Sequence, residues 1–368
     1  MTDVFQFADE FGPARILHIL EPALGLRAIL VVDNVATGPA IGGVRMAEDV
    51  SVAECFRLAR AMTLKNAAAS LPHGGGKAVI FGDPKQSAER KEEQVRAFAS
   101  AIHPIVDYIP GPDMGTDETC MAWIEDEIGR AVGLPPELGG IPLDRIGATG
   151  FGLAVCAEAA QDAAGIRLQG ARLVVQGFGS VGRHAARFLA EKGAVLVAAS
   201  DSTGAVIDPA GIDVEELIAI KDEDGQVRDY PRGRKVERDA VIDVECEIWI
   251  PAARPDVIRA DNVDRLRTRL VLQGANISVT PEAEARLYAR DILTVPDFIA
   301  NAGGVICAAV EYRGGTEMAA FETIAEKIRC NTAQVLDEVE RGGILPRQAA
   351  ADVALRRVRS AMRYRRWS

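Results

Sequence analysis

The chain has 368 residues, 48% hydrophobic and 26% charged, with a formal net charge of −11. That composition supplies apolar material for two globular domains, and the acidic balance excludes a generic nucleic-acid binder. No N-terminal apolar signal stretch and no run of about eighteen apolar residues occurs, so neither export by a standard signal nor a membrane span is expected.

In chain order, residues 28–32 read as a short strand, followed by the turn-prone Thr37-Gly38-Pro39. The pair Gly42-Gly43 suggests that a ligand or another backbone comes close. Between Ser51 and Ala69 the residues Val52, Cys55, Phe56, Leu58, Ala59, Met62 and Leu64 recur at helical spacing. Ser51 and Glu54 are placed as a capping box. Lys65 ends that helix. Lys77 lies twelve residues later, after Gly74-Gly75-Gly76, which reads as a turn, and it opens the apolar run Ala78-Val79-Ile80-Phe81. A lysine on the rim of a glycine pocket can hold an anion, or lose its proton when desolvated. On this stretch alone, a turn with two solvated lysines fits equally well.

Residues 87–102 read as a second helix. The Pro- and Gly-rich stretch 108–116 reads as a loop holding Asp113, and Thr116 is placed to cap a helix over 117–129. Alternating strands and helices predict an α/β domain. The Pro- and Gly-rich segment 133–147 reads as a linker. It divides the chain into domains at 1–138 and 139–344.

The second part begins with a helix over 149–165. A strand at 172–176 then runs into Gly177-Phe178-Gly179-Ser180-Val181-Gly182, a G-x-G-x-x-G turn. A helix follows to Lys192, then a strand at 194–199 that ends near Asp201. This is the context required of a dinucleotide-binding βαβ unit. Gly177 permits the tight turn, Gly179 lets a pyrophosphate reach backbone, and Gly182 lets helix and strand pack closely. The helix N-terminus offers N–H groups and a positive dipole end to phosphate. Asp201 lies 24 residues after Gly177, near the interval of about 20 for a ribose-binding acid. Its carboxylate favours NAD, and the neighbouring Ser202 and Thr203 leave NADP open. Three further strands, around Trp249, Val271 and Leu293, end in turns that carry Ala252, Ala275 and Asn276. Asn301 precedes another glycine pair, Gly303-Gly304. Helices follow over 305–312, 321–342 and 345–366, the last with Arg356, Arg357, Arg359, Arg363, Arg365 and Arg366 on its exposed face and end.

Six cysteines (Cys55, Cys120, Cys156, Cys246, Cys307, Cys330) are scattered without a C-x-x-C pair. They read as reduced thiols of a cytoplasmic protein rather than a disulfide frame. The histidines have no metal-ligand spacing, and no metal is expected.

Taken together, these motifs resemble the glutamate/leucine/phenylalanine/valine dehydrogenases, NAD(P)-dependent amino acid dehydrogenases. The resemblance rests on Gly38-Pro39-Ala40-Ile41-Gly42-Gly43-Val44-Arg45-Met46, Met62-Thr63-Leu64-Lys65-Asn66-Ala67-Ala68-Ala69 and Leu71-Pro72-His73-Gly74-Gly75-Gly76-Lys77. It continues through Gly111-Pro112-Asp113-Met114-Gly115-Thr116, Ala148-Thr149-Gly150, the 177–182 turn, Gly274-Ala275-Asn276 and Asn301-Ala302-Gly303-Gly304-Val305. All fall in family order. The resemblance implies an α/β fold with an N-terminal substrate-binding domain, a C-terminal Rossmann domain and a cleft between them. It also implies that the helix over 345–368 packs back on the first domain.

By the same resemblance, Lys77 and Asp113 are the catalytic lysine and aspartate, and Lys65 binds the substrate's α-carboxylate. Gly42 and Gly43 wall the substrate pocket. Thr149, Asn276 and Asn301 lie near nicotinamide or substrate. A homo-oligomer is implied, acting on a small amino acid or on its 2-oxo acid and ammonia, with no nucleic-acid or membrane partner. The chemistry suits these residue types: an anion clamp, a lysine with lowered proton affinity to activate water, and a carboxylate to trade protons with the amine.

The glutamate-specific members carry a lysine before the Gly-Gly pair and a serine after Asn-Ala-Gly-Gly, and here those positions are Ile41 and Ala308. Burying a side-chain carboxylate against Ile41 without a partner would cost several kcal/mol. Ile41, Met62 and Ala308 suit an apolar side chain, so a branched-chain or aromatic L-amino acid is the expected substrate. Glutamate is the alternative, since Ser200-Asp201-Ser202-Thr203-Gly204 and Val279-Thr280-Pro281-Glu282-Ala283 look like archaeal-type glutamate dehydrogenases. A non-catalytic dinucleotide-binding regulator is the alternative of another class.

Overall fold

The computed structural model describes residues 4–365. Arg366, with the end of the helix expected over 345–368, lies outside the described residues. The chain forms two compact units. One takes the N-terminal residues through Pro142, Val305–Ala320 and the chain from Ala351 onwards, and the other takes Leu143–Gly304 and Phe321–Ala350.

The first unit holds β1 (Arg15–Glu21), β2 (Leu26–Asn34), β3 (Ala40–Ala47), α1 (Val52–Ala68), β4 (Gly74–Phe81), α2 (Ala88–Ile102), β5 (Tyr108–Pro112) and α3 (Glu118–Ile128). Its five-stranded sheet runs β1-β2-β4-β3-β5. The pairs β1–β2 and β2–β4 are antiparallel, and β4–β3 and β3–β5 parallel. Side chains alternate across a strand. Leu30, Val32, Val44, Ala78 and Ile80 therefore join Val95, Phe98 and Ile124 in one core layer. Ile29, Val31 and Val79 face Cys55, Phe56 and Ala59 of α1 in the other. A strand covered on both faces reads as a continuous apolar run, as 78–81 does.

Gly74-Gly75-Gly76 was expected to form a turn, but all three lie inside β4. Their role is close approach: a Cβ on Gly75 would stand 2.0 Å from the Thr63 nitrogen of α1. The stretch 108–112 is likewise a strand rather than a loop. Asp117, not Thr116, caps α3, its side chain accepting from the Cys120 N–H. The Thr116 hydroxyl instead donates to the Val44 carbonyl at 2.7 Å. The Ser51–Glu54 box forms by half. Ser51 accepts the Glu54 N–H at 3.1 Å, but the Glu54 carboxylate goes to Arg45.

The second unit begins with α4 (Leu143–Ile146) and α5 (Ala148–Ala160), followed by β6 (Arg172–Gln176), α6 (Ser180–Glu191), β7 (Val195–Ser200), β8 (Ala205–Ile207), α7 (Val214–Asp222) and β9 (Arg234–Val236). Then come β10 (Ile248–Pro251), β11 (Leu270–Leu272), α8 (Pro281–Ala289), β12 (Leu293–Val295) and α9 (Asp297–Ala300). Its sheet runs β12-β11-β10-β6-β7-β8-β9. The five strands from β12 to β7 are parallel, and β8 and β9 are antiparallel additions. This is the doubly wound order of dinucleotide-binding folds, with the strand order reversing between β6 and β10.

The chain closes with α10 (Gly303–Glu311), α11 (Glu317–Gly342) and α12 (Pro346–Met362). The segment expected as a linker is tied down. The buried Glu311 carboxylate accepts the N–H groups of Gly133, Leu134 and Ile141 at 2.7, 3.0 and 3.0 Å. The C-terminal arginines are not all a solvated face either. Arg357 is half-buried, and its Nη1 donates to the Ala67 and Ala68 carbonyls at 3.0 and 2.6 Å, satisfying the end of α1. Arg365 Nε donates to the Ala36 carbonyl at 2.8 Å. Five of the six cysteines are buried, and Cys330 is exposed. Among the described residues, no helix is long and apolar enough to cross a membrane.

Because backbone, not a flexible side chain, blocks a methyl group at Gly75, Gly75→Ala should force α1 off β4. The expected loss is about 3 kcal/mol or more, read as a lowered denaturation midpoint.

Candidate active site

The Lys77 environment follows from strand alternation. Ile41, Gly43 and Arg45 share one face of β3, and Gly75, Lys77 and Val79 share one face of β4, the face that α1 covers. Lys77 is therefore buried at 5% exposure. Its Nζ stands 2.6 Å from Asp113 Oδ2. Asp113 follows directly on β5, where Thr116 Oγ1 accepts its N–H at 3.0 Å. Arg45 Nε reaches the same Oδ2 at 3.0 Å, and Arg45 Nη1 pairs with Glu54 at 2.5 Å. A Cβ on Gly43 would lie 3.0 Å from Lys77 Nζ and 2.8 Å from Asp113 Cβ, so Gly43 backbone is the wall beside the pair. Gly42 is held from below, its carbonyl accepting the buried Tyr108 hydroxyl at 2.8 Å.

Burial pulls the Lys77 ammonium below the ordinary lysine value and Arg45 adds to the pull, while Asp113 opposes it. Burial raises the Asp113 carboxyl, but the two cations on Oδ2 outweigh it and hold it below the usual carboxylate value. The pair is thus an ionised carboxylate beside an amine that gives up its proton readily.

Lys65 lies half-buried in the last turn of α1. The next residue, Asn66, is fully buried and ties that turn to the sheet, its Nδ2 donating to the Gly74 and Ile41 carbonyls at 2.7 and 3.3 Å. Ile41 is buried and Met62 half-buried. Ala308 is buried on α10, and its association with Ile41 rests on resemblance alone. His73 is buried, its ring edge-on to Tyr312 with centroids 5.9 Å apart. Arg45, Glu54 and Asn66 escaped the sequence reading as site residues. A charged residue two positions after a glycine pair, inside an otherwise apolar strand, was the signal available for Arg45.

The second unit presents a separate constellation. Gly177 has a φ of 96°, and a Cβ on Gly182 would collide with the Gly177 carbonyl oxygen at 2.0 Å, whereas one on Gly179 would meet nothing within 4 Å. The N-cap of α6 is Gly179, which has no side chain to cap the first-turn N–H groups. That cradle fits a pyrophosphate. Phe178 is buried, Val181 is half-buried, and Ser180 Oγ contacts Asp144 at 3.3 Å.

Asp201, expected to bind a ribose, also bonds within the chain. Oδ1 accepts from Thr203 N and Oγ1 at 2.9 and 2.6 Å, and Oδ2 from Lys221 Nζ at 3.0 Å and Val227 N at 2.9 Å. Despite burial, these bonds bring its carboxyl down to about 2. Ser202 is exposed beside it.

Ala252 and Ala275 lie at the ends of β10 and β11, their N–H groups donating to Gln176 and Pro251 carbonyls at 2.7 and 2.8 Å. Asn301 Nδ2 donates to Asn276 Oδ1 at 3.0 Å. Among the described residues Asn301 Oδ1 is buried with no partner, a polar atom suited to a ligand donor. Asp297 Oδ2 accepts the Ile277 N–H at 2.9 Å and so holds the loop bearing Asn276. Thr149 packs against Gly304.

A glycine-turn dinucleotide fold and a buried Lys–Asp pair define the class: a nicotinamide-dependent oxidoreductase of the α/β type. Residues 139–366 match the model of the Glutamate/Leucine/Phenylalanine/Valine dehydrogenases, and residues 20–130 that of the Glu/Leu/Phe/Val dehydrogenase dimerisation domain. The chain belongs to this family and is an NAD(P)-dependent amino acid dehydrogenase. It is 38% identical to a glutamate dehydrogenase of Aeropyrum pernix over 358 residues, 91% of this chain and 85% of the relative. An NADP(+)-dependent glutamate dehydrogenase of Pyrobaculum calidifontis is 37% identical over 360 residues, again 91% and 85%. Among solved structures, hetero-hexameric glutamate dehydrogenase from Thermus thermophilus in a Leu-bound form superposes with a TM-score of 0.85 at 32% identity. That match covers 96% of this chain and 90% of the other.

Lys77→Ala should still bind NADH in a fluorescence titration but lose turnover by roughly 10²–10⁴-fold, the usual worth of a positioned acid–base group. Near-normal turnover would refute the role of Lys77.

Proposed function

We propose that this chain catalyses the reversible oxidative deamination of an L-amino acid to its 2-oxo acid and ammonia in the cytoplasm, with L-glutamate as the leading substrate. The buried Lys77–Asp113 pair beside Gly43 carries the reaction. The glutamate reading is supported by relatives named as glutamate dehydrogenases that cover most of the chain.

In this reading Lys65 holds the α-carboxylate, and the Gly42–Gly43 backbone walls the Cα. The bound nicotinamide, NAD or NADP, supplies the acceptor for the Cα hydride. Neutral Lys77 takes a proton from water as the water oxygen bonds to the resulting iminium carbon. The lysine ammonium so formed stabilises the carbinolamine oxygen. Asp113, ionised at the start, has taken a proton from the substrate ammonium before hydride transfer and now passes it to the amine nitrogen. The C–N bond then breaks, the hydroxyl proton returns to the carboxylate, and the C=O bond forms. Thr149, Asn276 and Asn301 would orient the nicotinamide or substrate. Gly177, Phe178, Gly179, Ser180, Val181 and Gly182 would hold the pyrophosphate, with Asp201, Ser202, Ala252 and Ala275 around the remainder of the cofactor. The match to a dimerisation domain supports a homo-oligomer.

A second reading is favoured by Ile41. Buried at 3% exposure on the face of β3 that carries Gly43, it offers a side-chain carboxylate no partner, and with Met62 and Ala308 it suits a hydrophobic substrate. A selectivity energy of about 3 kcal/mol corresponds to roughly 100-fold. Comparing kcat/KM for L-glutamate, L-leucine, L-valine and L-phenylalanine separates the readings. Glutamate is expected to lead, and a large preference for an apolar amino acid would reverse the assignment. Binding of NADH without turnover of any 2-oxo acid would instead make the chain a non-catalytic regulator.

Lys221 neutralises Asp201 where a ribose 2′-substituent would lie. Lys221→Met should therefore weaken NADPH binding about tenfold and NADH binding much less, as measured by fluorescence titration.

A further inference from the structure

We propose that Arg45 is a positioning residue for the deamination: it anchors the Asp113 carboxylate during the part of the cycle in which Lys77 is neutral. The inference rests on the reaction assigned above to Lys77 and Asp113.

Both cations sit on one oxygen, Lys77 Nζ at 2.6 Å and Arg45 Nε at 3.0 Å from Asp113 Oδ2. Oδ1 takes no hydrogen bond among the described residues and is the atom left for the substrate nitrogen. A lysine that acts as a base must alternate between ammonium and amine. Whenever it is an amine, its ion pair with Asp113 becomes an ordinary hydrogen bond, roughly half as strong. A guanidinium does not lose its proton in the same range. Arg45 therefore holds Oδ2 fixed while Lys77 cycles and Oδ1 exchanges protons with the substrate. Arg45 is itself held from the first turn of α1 by Glu54 at 2.5 Å. That is the carboxylate withdrawn from the expected capping box, and this use explains why the box is half-formed.

The charged and titratable groups around the pair are Arg45 of β3, Lys77 of β4, Glu54 and Cys55 of α1, and Tyr108 of β5. Burial pushes the Cys55 thiol up to about 12 and the Tyr108 hydroxyl well above its ordinary value. Neither titrates in a working range, so Lys77 and Asp113 are the groups that Arg45 influences. The sign follows. Without Arg45, Asp113 loses a cation and Lys77 loses a like charge, and both bind protons more tightly.

The test compares Arg45→Met and Arg45→Lys with the parent protein by two profiles. One is the pH dependence of kcat/KM for deamination. The other is the pH dependence of Lys77 acylation by acetic anhydride, read by peptide mass spectrometry. Arg45→Met should move the midpoint of both upward by about half a pH unit or more. It should lower kcat about tenfold at neutral pH, while KM for the amino acid and affinity for NADH stay within about threefold. Arg45→Lys, which keeps the charge, should recover part of both. Arg45→Met profiles that superpose on the parent's would overturn the proposal.

Should Arg45→Met not fold, Glu54→Gln decides. Removing that carboxylate strengthens the positive charge at the pair, so the acylation midpoint should fall, and an unmoved midpoint overturns the role. The acylation profile needs no turnover. A parent enzyme inert toward all 2-oxo acids would therefore sink the deamination reading while the charge coupling is still measured.

Discussion

An ammonium group inside a protein core loses its hydration, and the cost is several kcal/mol unless another charge replaces the water. Lys77 is in that position, and Asp113 Oδ2 is the replacement. Much of the first unit can be understood as the means of bringing these two atoms together. β4 delivers Lys77 to the face covered by α1, and β5 ends one residue before Asp113. β3, lying between them, contributes Gly43, whose missing side chain leaves room for both. The parallel β3–β4 and β3–β5 pairings place the carboxyl ends of β3 and β5 on the same edge.

Stability and chemistry conflict at such a site, and the surrounding residues limit the conflict. A buried pair that loses one partner leaves an uncompensated charge, usually worth 3–5 kcal/mol. Under the proposed reaction Lys77 would lose its charge in every cycle. Arg45 lies at the boundary between core and solvent, with its side chain 17% exposed, where a permanent charge is tolerable. Below the pair, the close approach of α1 to β4 and the Tyr108 hydroxyl beneath Gly42 keep the glycine wall rigid. Preorganisation of this kind avoids reorganising dipoles during the reaction.

The second unit solves a different problem, that of holding a dianionic pyrophosphate without committing a side chain to it. The glycine N-cap of α6 and the open space at Gly179 would let backbone alone do so. In that proposed site, specificity would fall to side chains at strand ends. Here Asp201 does not act alone. Its bonds to Lys221, Thr203 and the Val227 N–H make it part of a local network, so under the proposed cofactor site the choice between NAD and NADP would fall to the network rather than to one acid.

The sequence by itself determined the elements whose cause is local. Helical periodicity placed α1, the strand–glycine–helix order located the dinucleotide unit, and the ordered motifs identified the family; that Lys77 and Asp113 form an ion pair came from the structure. What it misassigned were residues whose partners are distant. Three consecutive glycines signal a turn when only neighbours are considered, yet Thr63 and Asn34 leave no space for side chains there, and the segment is a strand. Glu54 reads as a capping residue until Arg45 is seen across the sheet, and Arg357 reads as solvated until the carbonyls of Ala67 and Ala68 are seen against it, 290 and 289 residues away. Only the tertiary structure decided that Asp113 serves two cations and that Asp201 is already satisfied. Hydrogen bonds and ion pairs depend on distance in space, and spacing along the chain does not encode that distance.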